Sequence, residues 1–430
     1  MFTASLKEVE EQLANLQALV AKAQRAGASE LHESQCVQAT RIAQNLRNIT
    51  KPPGEIAHEI TMMPYITTAT RLAIDLGIFK SLSAAYPKHQ TSQALVDYAL
   101  ANTDAKAVSP DFVTRTMRLL TLYGLATETD YGTYVASSTT HAFAAPDEAL
   151  QSQVVHFFEF YNPAMEHSVS YFAEQGYVFP TEDNVGPFQS FWQVDIPTYE
   201  FWSRQPPVVL ERLNKFMKAV HSVAWYEWID VGEMFKKRII EFEESDDKKK
   251  LLLVDLGGGK GVMVHNLRKK LDEAGLKGKI MLEERPPVIK DALAGAASLG
   301  HSQESGMPGV EYLAHDFLRP QPEEAQGSLY YYLSYVLHNW NDETSIRLLK
   351  LVAKAMRPGY SRLLINERVL QPTGNDLQKA GLDFHMAFSH GSKERTLAEY
   401  GELVKAAGME VVKYHRSPDD GQDLVECALA

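Results

Sequence analysis

Cysteine is almost missing: the 430 residues hold only Cys36 and Cys427, far apart and with no Cys-x-x-Cys or Cys/His spacing. That excludes a thiolate zinc centre and fits a reducing compartment. Surplus positive charge is missing too. The formal net charge is −12, and no basic stripe with interleaved aromatics offsets it. This argues against a polyanionic substrate, and no nucleic acid is expected as a partner. No apolar run approaches a membrane span, and the N-terminus has no basic-then-apolar signal. Stable membrane insertion is therefore not expected, and the sequence reads as cytoplasmic. What remains is the composition of an ordinary soluble enzyme, 45% hydrophobic and 23% charged, with length enough for two or three domains.

One stretch organises the chain. Leu251, Leu252, Leu253 and Val254 run into Asp255, then into Gly257, Gly258, Gly259 and Gly261, and then into a helical pattern of Val264, Leu267 and Leu271. A strand ending in such a turn brings backbone N–H groups and a helix N-terminus close to a ligand. Glycine is needed there because a Cβ would block the sharp turn and the close approach. Position 262 is Val where a dinucleotide fingerprint requires glycine, and no Gly-Lys-Ser/Thr phosphate loop occurs. An acid followed by Gly-x-Gly-x-Gly resembles motif I of the class I methyltransferases that bind S-adenosylmethionine. Plain structural turns can share this pattern, so the rest of the chain has to decide.

Before this stretch the sequence reads as helical. Leu6, Val9, Leu13, Leu16 and Val20 form a seam about two heptads long, suited to packing on a partner subunit or on the chain's own body. Gly27 to Glu33 is a break. Helices are expected over Tyr65–Leu82, ending at Gly77, over Thr91–Leu100, and from Ser109-Pro110 to near Gly124. Short strands are expected at Leu125–Thr129 and Tyr134–Ser137. Helix, helix, helix, hairpin is the winged-helix order. The third helix offers only Arg115 and Arg118 beside Asp111, so an interaction domain is expected and not a DNA reader. From Val154 to Trp228 aromatics are dense. Most suit helical core, but Phe157, Tyr161 and Trp192, together with Met386, are the candidate lining of a pocket for a flat substrate. Glu241 to Lys250 reads as a charged, solvated approach to the central strand.

After the glycine loop, strands are expected at Lys279–Leu282 (ending at Glu283-Glu284), Gly309–Ala314, Leu329–Leu333 and Leu363–Asn366, with a helix over Glu343–Met356. Such alternation predicts a doubly wound parallel sheet, and the candidate chemistry lies just past strand C-termini, where such sheets bind ligands. An acid at the end of the second strand can accept both ribose hydroxyls of a nucleoside. Asp342 reads as the N-cap of its helix.

Six motifs then occur in one order: Asp255-Leu-Gly-Gly-Gly-Lys-Gly261, Arg285-Pro-Pro-Val-Ile289, His315-Asp-Phe317, His338-Asn-Trp-Asn-Asp342, Asn366-Glu-Arg368 and Lys393-Glu-Arg-Thr396. Together they resemble the plant- and fungal-type small-molecule O-methyltransferases, and more nearly the fungal secondary-metabolism branch, over roughly residues 55 to 430. The resemblance implies an N-terminal helical extension (1–50), a winged-helix-like dimerisation and substrate-lid domain (51–185) and a Rossmann-like catalytic domain (186–430), assembled as a homodimer. It implies S-adenosylmethionine as cofactor, with Asp255 in its site, Gly257 and Gly259 at its methionine end, Glu284 at the ribose in place of the usual Asp, and Asp316 and Phe317 beside the adenine. His338 would take the proton from a phenolic or enolic hydroxyl of an aromatic or polyketide-like metabolite, with Glu367 and Glu394 orienting the imidazole. Such a hydroxyl is mostly protonated at neutral pH, and a neutral imidazole can accept its proton as the C–O bond forms. The sulfonium is already a strong methyl donor, so no metal is required.

Two positions depart from the family pattern. Asn339 stands where Asp commonly follows the His, and Ser334 where Lys or Arg commonly helps to hold the cofactor. They keep open an enzyme that holds S-adenosylmethionine unspent while steering a dehydration or pericyclic rearrangement. A further alternative is a non-catalytic scaffold partner.

Overall fold

The computed structural model describes residues 3–220, 224–240, 251–418 and 421–430; the stretch Glu241 to Lys250 lies outside them. The chain forms two compact units. One is built from the described parts of Met1–Leu31, Gln38–Ala173 and Tyr199–His221, the other from His32–Val37, Glu174–Thr198 and the described parts of Ser222–Ala430.

The first unit is mainly helical. Its opening helix, Leu6–Arg25, is capped by the Ser5 hydroxyl, which accepts from the Glu8 N–H. The helix expected from Tyr65 starts earlier and runs Pro53–Asp75. Gly77, at φ +63°, then turns the chain into a separate helix, Ile78–Ala85. A Cβ at Gly77 would stand 3.0 Å from the Tyr98 ring, so close approach as well as the left-handed backbone favours glycine. Ser92–Asn102 and Pro110–Leu122 follow, capped by the hydroxyls of Thr91 and Ser109. A small sheet of β1 (Gln90–Thr91), β2 (Thr127–Asp130) and β3 (Thr133–Val135), in the order β1-β3-β2, completes the winged arrangement. Ala73, Phe79, Leu82, Leu95, Val113, Met117, Leu120 and Tyr134 fill its core.

The second unit is a seven-stranded sheet: β4 (Leu251–Leu256), β5 (Lys279–Glu284), β6 (Val310–Ala314), β7 (Tyr330–Ser334), β8 (Arg362–Glu367), β9 (Met409–His415) and β10 (Asp423–Leu429). The order is β6-β5-β4-β7-β8-β10-β9. The five strands from β6 to β8 are parallel, but β10 runs antiparallel to both β8 and β9. The sheet is therefore mixed, where the alternating pattern led us to expect a parallel one. Both faces are covered: Val254, Leu256, Leu333, Leu348 and Ile365 pack on one side, Leu252, Val264, Leu267, Ile280 and Tyr332 on the other. This is why β4 reads as an unbroken apolar run. Each such side chain withdrawn from water contributes roughly 2 kcal/mol. The strand order reverses between β4 and β7, and open α/β sheets bind ligands at that reversal, beyond the strand C-termini.

Candidate active site

The glycine loop leaves the C-terminal end of β4. Gly257, Gly259 and Gly261 all have positive φ, and Gly261 starts the helix Val262–Glu273. Gly258 does not, but it is the most crowded of the four. A Cβ there would lie 2.1 Å from Asp255 Oδ2 and 2.6 Å from Leu282. At Gly257 it would meet the Phe317 ring and Val336, each at 3.2 Å. The neighbouring strand β5 ends at Glu284, whose carboxylate accepts the Gly259 N–H (3.3 Å) and the Arg285 N–H (2.8 Å). Beyond β6, the Asp316 carboxylate accepts from the Leu318 N–H and Phe317 faces the loop. Asp255, Gly257, Gly259, Glu284, Asp316 and Phe317 are thus all placed on β4, on β5 and just past the ends of β4 and β6.

One pair here escaped the sequence reading. Glu283 is fully buried and takes His315 Nδ1 at 2.7 Å and the Gln321 amide at 3.0 Å. It braces the start of the His315-Asp-Phe317 turn from beneath. Burial lifts the Glu283 carboxyl above the usual range, against the pull of His315 and Gln321. Asp255 is raised well above its usual range, first by burial and then by the nearby Glu284 and Glu283. Acids gathered around a glycine cradle suit a ligand that carries positive charge, ribose hydroxyls and a flat base. S-adenosylmethionine, with its sulfonium and ammonium, meets that description.

On the other side of the reversal, β7 ends at Ser334. Tyr335 follows at φ +51°, an uncommon backbone for a bulky residue, and a 3-10 turn at Leu337–Asn339 presents His338. The His338 Nδ1 lies 2.7 Å from Glu394 Oε1 and 3.9 Å from Glu367 Oε2. Glu367 closes β8, and its Oε1 accepts the N–H groups of Val336 and Leu337, both at 3.0 Å. Glu394 follows the helix Leu377–His390 and is fixed by its own N–H donating to Asp383. All three side chains are buried. The three predicted residues are therefore brought together. Burial pushes the His338 imidazole down, but the charges of Glu394 and Glu367 and the Glu394 hydrogen bond outweigh it, so its pKa is raised. Burial raises Glu367 to about 7, against the pull of His338. With Nδ1–H given to Glu394, Nε2 is the nitrogen that can accept a proton from a substrate hydroxyl, and the carboxylates then stabilise the imidazolium.

Arg395, the residue after Glu394, also went unread. Fully buried, it donates to the carbonyls of Leu337 (2.9 Å) and Trp340 (2.8 Å) and to Asp342 (2.8 Å), holding both ends of the turn that carries His338. Asp342 is thus not the helix cap expected of it. Asn341 is the N-cap, accepting from the Thr344 N–H at 2.8 Å, because Arg395 engages the neighbouring acid. The two departures also find partners. The Ser334 hydroxyl accepts from the Gln422 amide at 3.0 Å. The Asn339 amide donates to the Tyr335 carbonyl at 2.8 Å, bracing the positive-φ residue whose ring lies 5.0 Å from His338. Asn339→Ala is expected to lower stability by about 1–2 kcal/mol, for the lost hydrogen bond and the unbraced backbone, and to reduce turnover. Denaturant melts check this; a variant as stable and active as the wild type would show that Tyr335 needs no brace.

Of the candidate pocket residues, Phe157 and Tyr161 lie in the first unit, their rings 4.9 Å apart. Trp192 and Met386 lie in the second, Met386 buried on the helix Leu377–His390 and Trp192 at the end of the helix Pro187–Trp192.

The strand order and the glycine cradle define a Rossmann-like class I methyltransferase fold. Comparison with known proteins sharpens this. The O-methyltransferase domain family matches residues 230–410. A demethylsterigmatocystin 6-O-methyltransferase of Aspergillus flavus is 31% identical over 359 residues, 84% of each chain. The O-methyltransferase penC of Penicillium thymicola is 28% identical over 398 residues, 91% of this chain and 90% of that one. Among solved structures, LepI in complex with SAM shares the fold at a TM-score of 0.80 and 22% identity, over 98% of this chain and 99% of that one. OxaC in complex with SAH and oxaline does so at 0.73 and 20%, over 98% and 99%. The chain belongs to the S-adenosylmethionine-dependent O-methyltransferase family, among relatives from fungal secondary metabolism.

Proposed function

We propose that this protein methylates a phenolic or enolic hydroxyl of a planar aromatic or polyketide-like metabolite, with His338 as general base. The observation that carries the reading is the buried His338–Glu394 pair at 2.7 Å, backed by Glu367 at the end of the adjacent strand. Asp255, the glycine loop, Glu284, Asp316 and Phe317 would hold S-adenosylmethionine, which when bound supplies an electrophilic methyl group. His338 Nε2 would take the proton of the acceptor hydroxyl. Glu394 keeps the ring in the tautomer this requires, and Glu367 ties the turn to β8 through Val336 and Leu337. No step calls for a metal, although the His338, Glu367 and Glu394 donor atoms lie within 4.8 Å of one another. Exposed apolar side chains on first-unit helices, Leu6, Leu13, Ile60 and Met63, support a homodimeric assembly.

The reading is tested by supplying methyl-labelled S-adenosylmethionine and an extract of the source cells to the purified protein, with products followed by mass. A product heavier by one labelled methyl supports it. A rearranged or dehydrated product, with the cofactor intact, supports instead the second reading, a non-methylating enzyme on this scaffold, which Ser334 and Asn339 keep in view.

The pH response follows from the site. The base must be neutral, and its pKa is raised, so turnover should fall as pH drops through a midpoint above the ordinary imidazole value of about 6.5. Glu394 exerts the largest upward pull on that midpoint. Glu394→Gln should therefore shift the acidic limb of the kcat profile to lower pH while lowering its plateau. A midpoint that stayed in place would separate Glu394 from the base.

A further inference from the structure

The second histidine that matters lies in the other unit. His156 closes the helix Ala149–His156, where the chain passes into a five-residue π-helix, Phe157–Tyr161. Its side chain is wholly buried, and among the described residues neither ring nitrogen has a hydrogen-bond partner. Around it stand Trp202 at 4.4 Å between ring centroids, Phe160 at 5.3 Å, Phe216 at 5.5 Å and Tyr161 at 5.7 Å. The next turn is pinned from outside by Glu159, which pairs with both Arg71 and Arg212.

A packed aromatic core has no use for an imidazole. Phenylalanine would fill the same space without leaving a donor and an acceptor unmet. π-Helical turns likewise lower helix quality and recur at functional sites. Two local defects at one place, inside the segment richest in flat side chains, point to a ligand. Burial, reinforced by the positive charge of Arg212, pushes the imidazole down to about 4, so it is neutral at physiological pH. A neutral imidazole offers one N–H and one lone pair, which suits a hydroxyl or a ring carbonyl.

We infer that His156 is a specificity-determining residue that hydrogen-bonds the hydroxyl or carbonyl of a planar aromatic acceptor inserted among Phe160, Tyr161, Trp202 and Phe216. The inference rests on the proposed methyl-acceptor class but concerns recognition and not proton transfer.

The test uses the full chain saturated with S-adenosylhomocysteine. It is titrated with three probes, a hydroxyxanthone, a dihydroxyanthraquinone and a hydroxyquinolinone, through quenching of tryptophan fluorescence. His156→Phe should weaken binding of the best probe about 10-fold, as expected for one hydrogen bond made in a dry site. It should also raise the melting temperature of the ligand-free chain and leave affinity for S-adenosylhomocysteine unchanged. His156→Gln, which keeps a donor and an acceptor, should recover part of the probe affinity. Equal probe binding by wild type and His156→Phe, or no binding of any probe to the wild type, overturns the inference. Labelled methyl transfer to the probes, measured in parallel, keeps the two readings distinct. Probe binding that depends on His156 without any methylation sinks the methyltransferase reading alone. Methylation with an unchanged KM in His156→Phe sinks the His156 assignment alone.

Discussion

His338→Ala should lose methyl transfer by ~10²- to 10⁴-fold while still binding S-adenosylmethionine, the range general-base assistance supplies. Alanine leaves Glu367 and Glu394 in a buried space without the imidazole that sits between them. Some loss of stability is therefore built into that variant. His338→Gln is the cleaner companion, because its amide can still donate to Glu394 but cannot accept and carry a proton. Both should fail in single-turnover assays with cofactor bound, and both should keep the cofactor dissociation constant of the wild type. Wild-type turnover in a folded His338→Gln protein would refute the base and leave the buried acids as a structural cluster.

The second large effect is expected at Gly258. Unlike its neighbours it has no positive φ, so alanine is conformationally acceptable there, and space alone decides. The added methyl would lie 2.1 Å from Asp255 Oδ2 and 2.6 Å from Leu282, two side chains buried too deeply to move aside. Overpacking of this kind costs about 1–3 kcal/mol, and the loop that must give way is the one assigned to the cofactor. Gly258→Ala should lower the melting temperature and weaken S-adenosylmethionine binding by about 100-fold, which corresponds to roughly 2.7 kcal/mol. Gly259→Ala is the control: nothing lies within 4 Å of its added Cβ, and only the left-handed backbone opposes it, at about 1 kcal/mol. Calorimetric titration of the two variants side by side would expose an error. Equal effects would mean that backbone freedom, and not the contact with Asp255, governs the loop.

The sequence made β4, β5, β7 and β8 legible because a strand buried on both faces is a largely continuous apolar run that stops at a turn, whereas the edge strand β6 is only partly buried and carries Glu311. Asp255, Glu284, His338 and Glu367 stand at or shortly past the ends of strands, and the roles proposed for them come from the family resemblance. Glu394 has no strand before it and was reached through family resemblance; its place beside His338 is fixed by the helix Leu377–His390 and the left-handed Gly391. What escaped depends on pairing across the chain. The segments Met409–His415 and Asp423–Leu429 acquire their direction from β8 and from each other, which no local pattern records. The exchange of capping roles between Asn341 and Asp342 follows from Arg395, a partner more than fifty residues away. The π-turn after His156 is likewise invisible, since Phe157 to Tyr161 reads as ordinary helix.

The reversal between β4 and β7 has a consequence for descent. Residues proposed for the cofactor come from β4, β5 and the turns after β4 and β6, whereas the proposed base and its neighbouring acids come from β8, the turn after β7 and the segment past Gly391. The two sets share no residue and no strand. A lineage can therefore rewrite one set while inheriting the other whole, keeping its nucleoside for a new task or offering a different donor to the same base. Selection on such a sheet acts on two traits that are neighbours in space and independent in the chain.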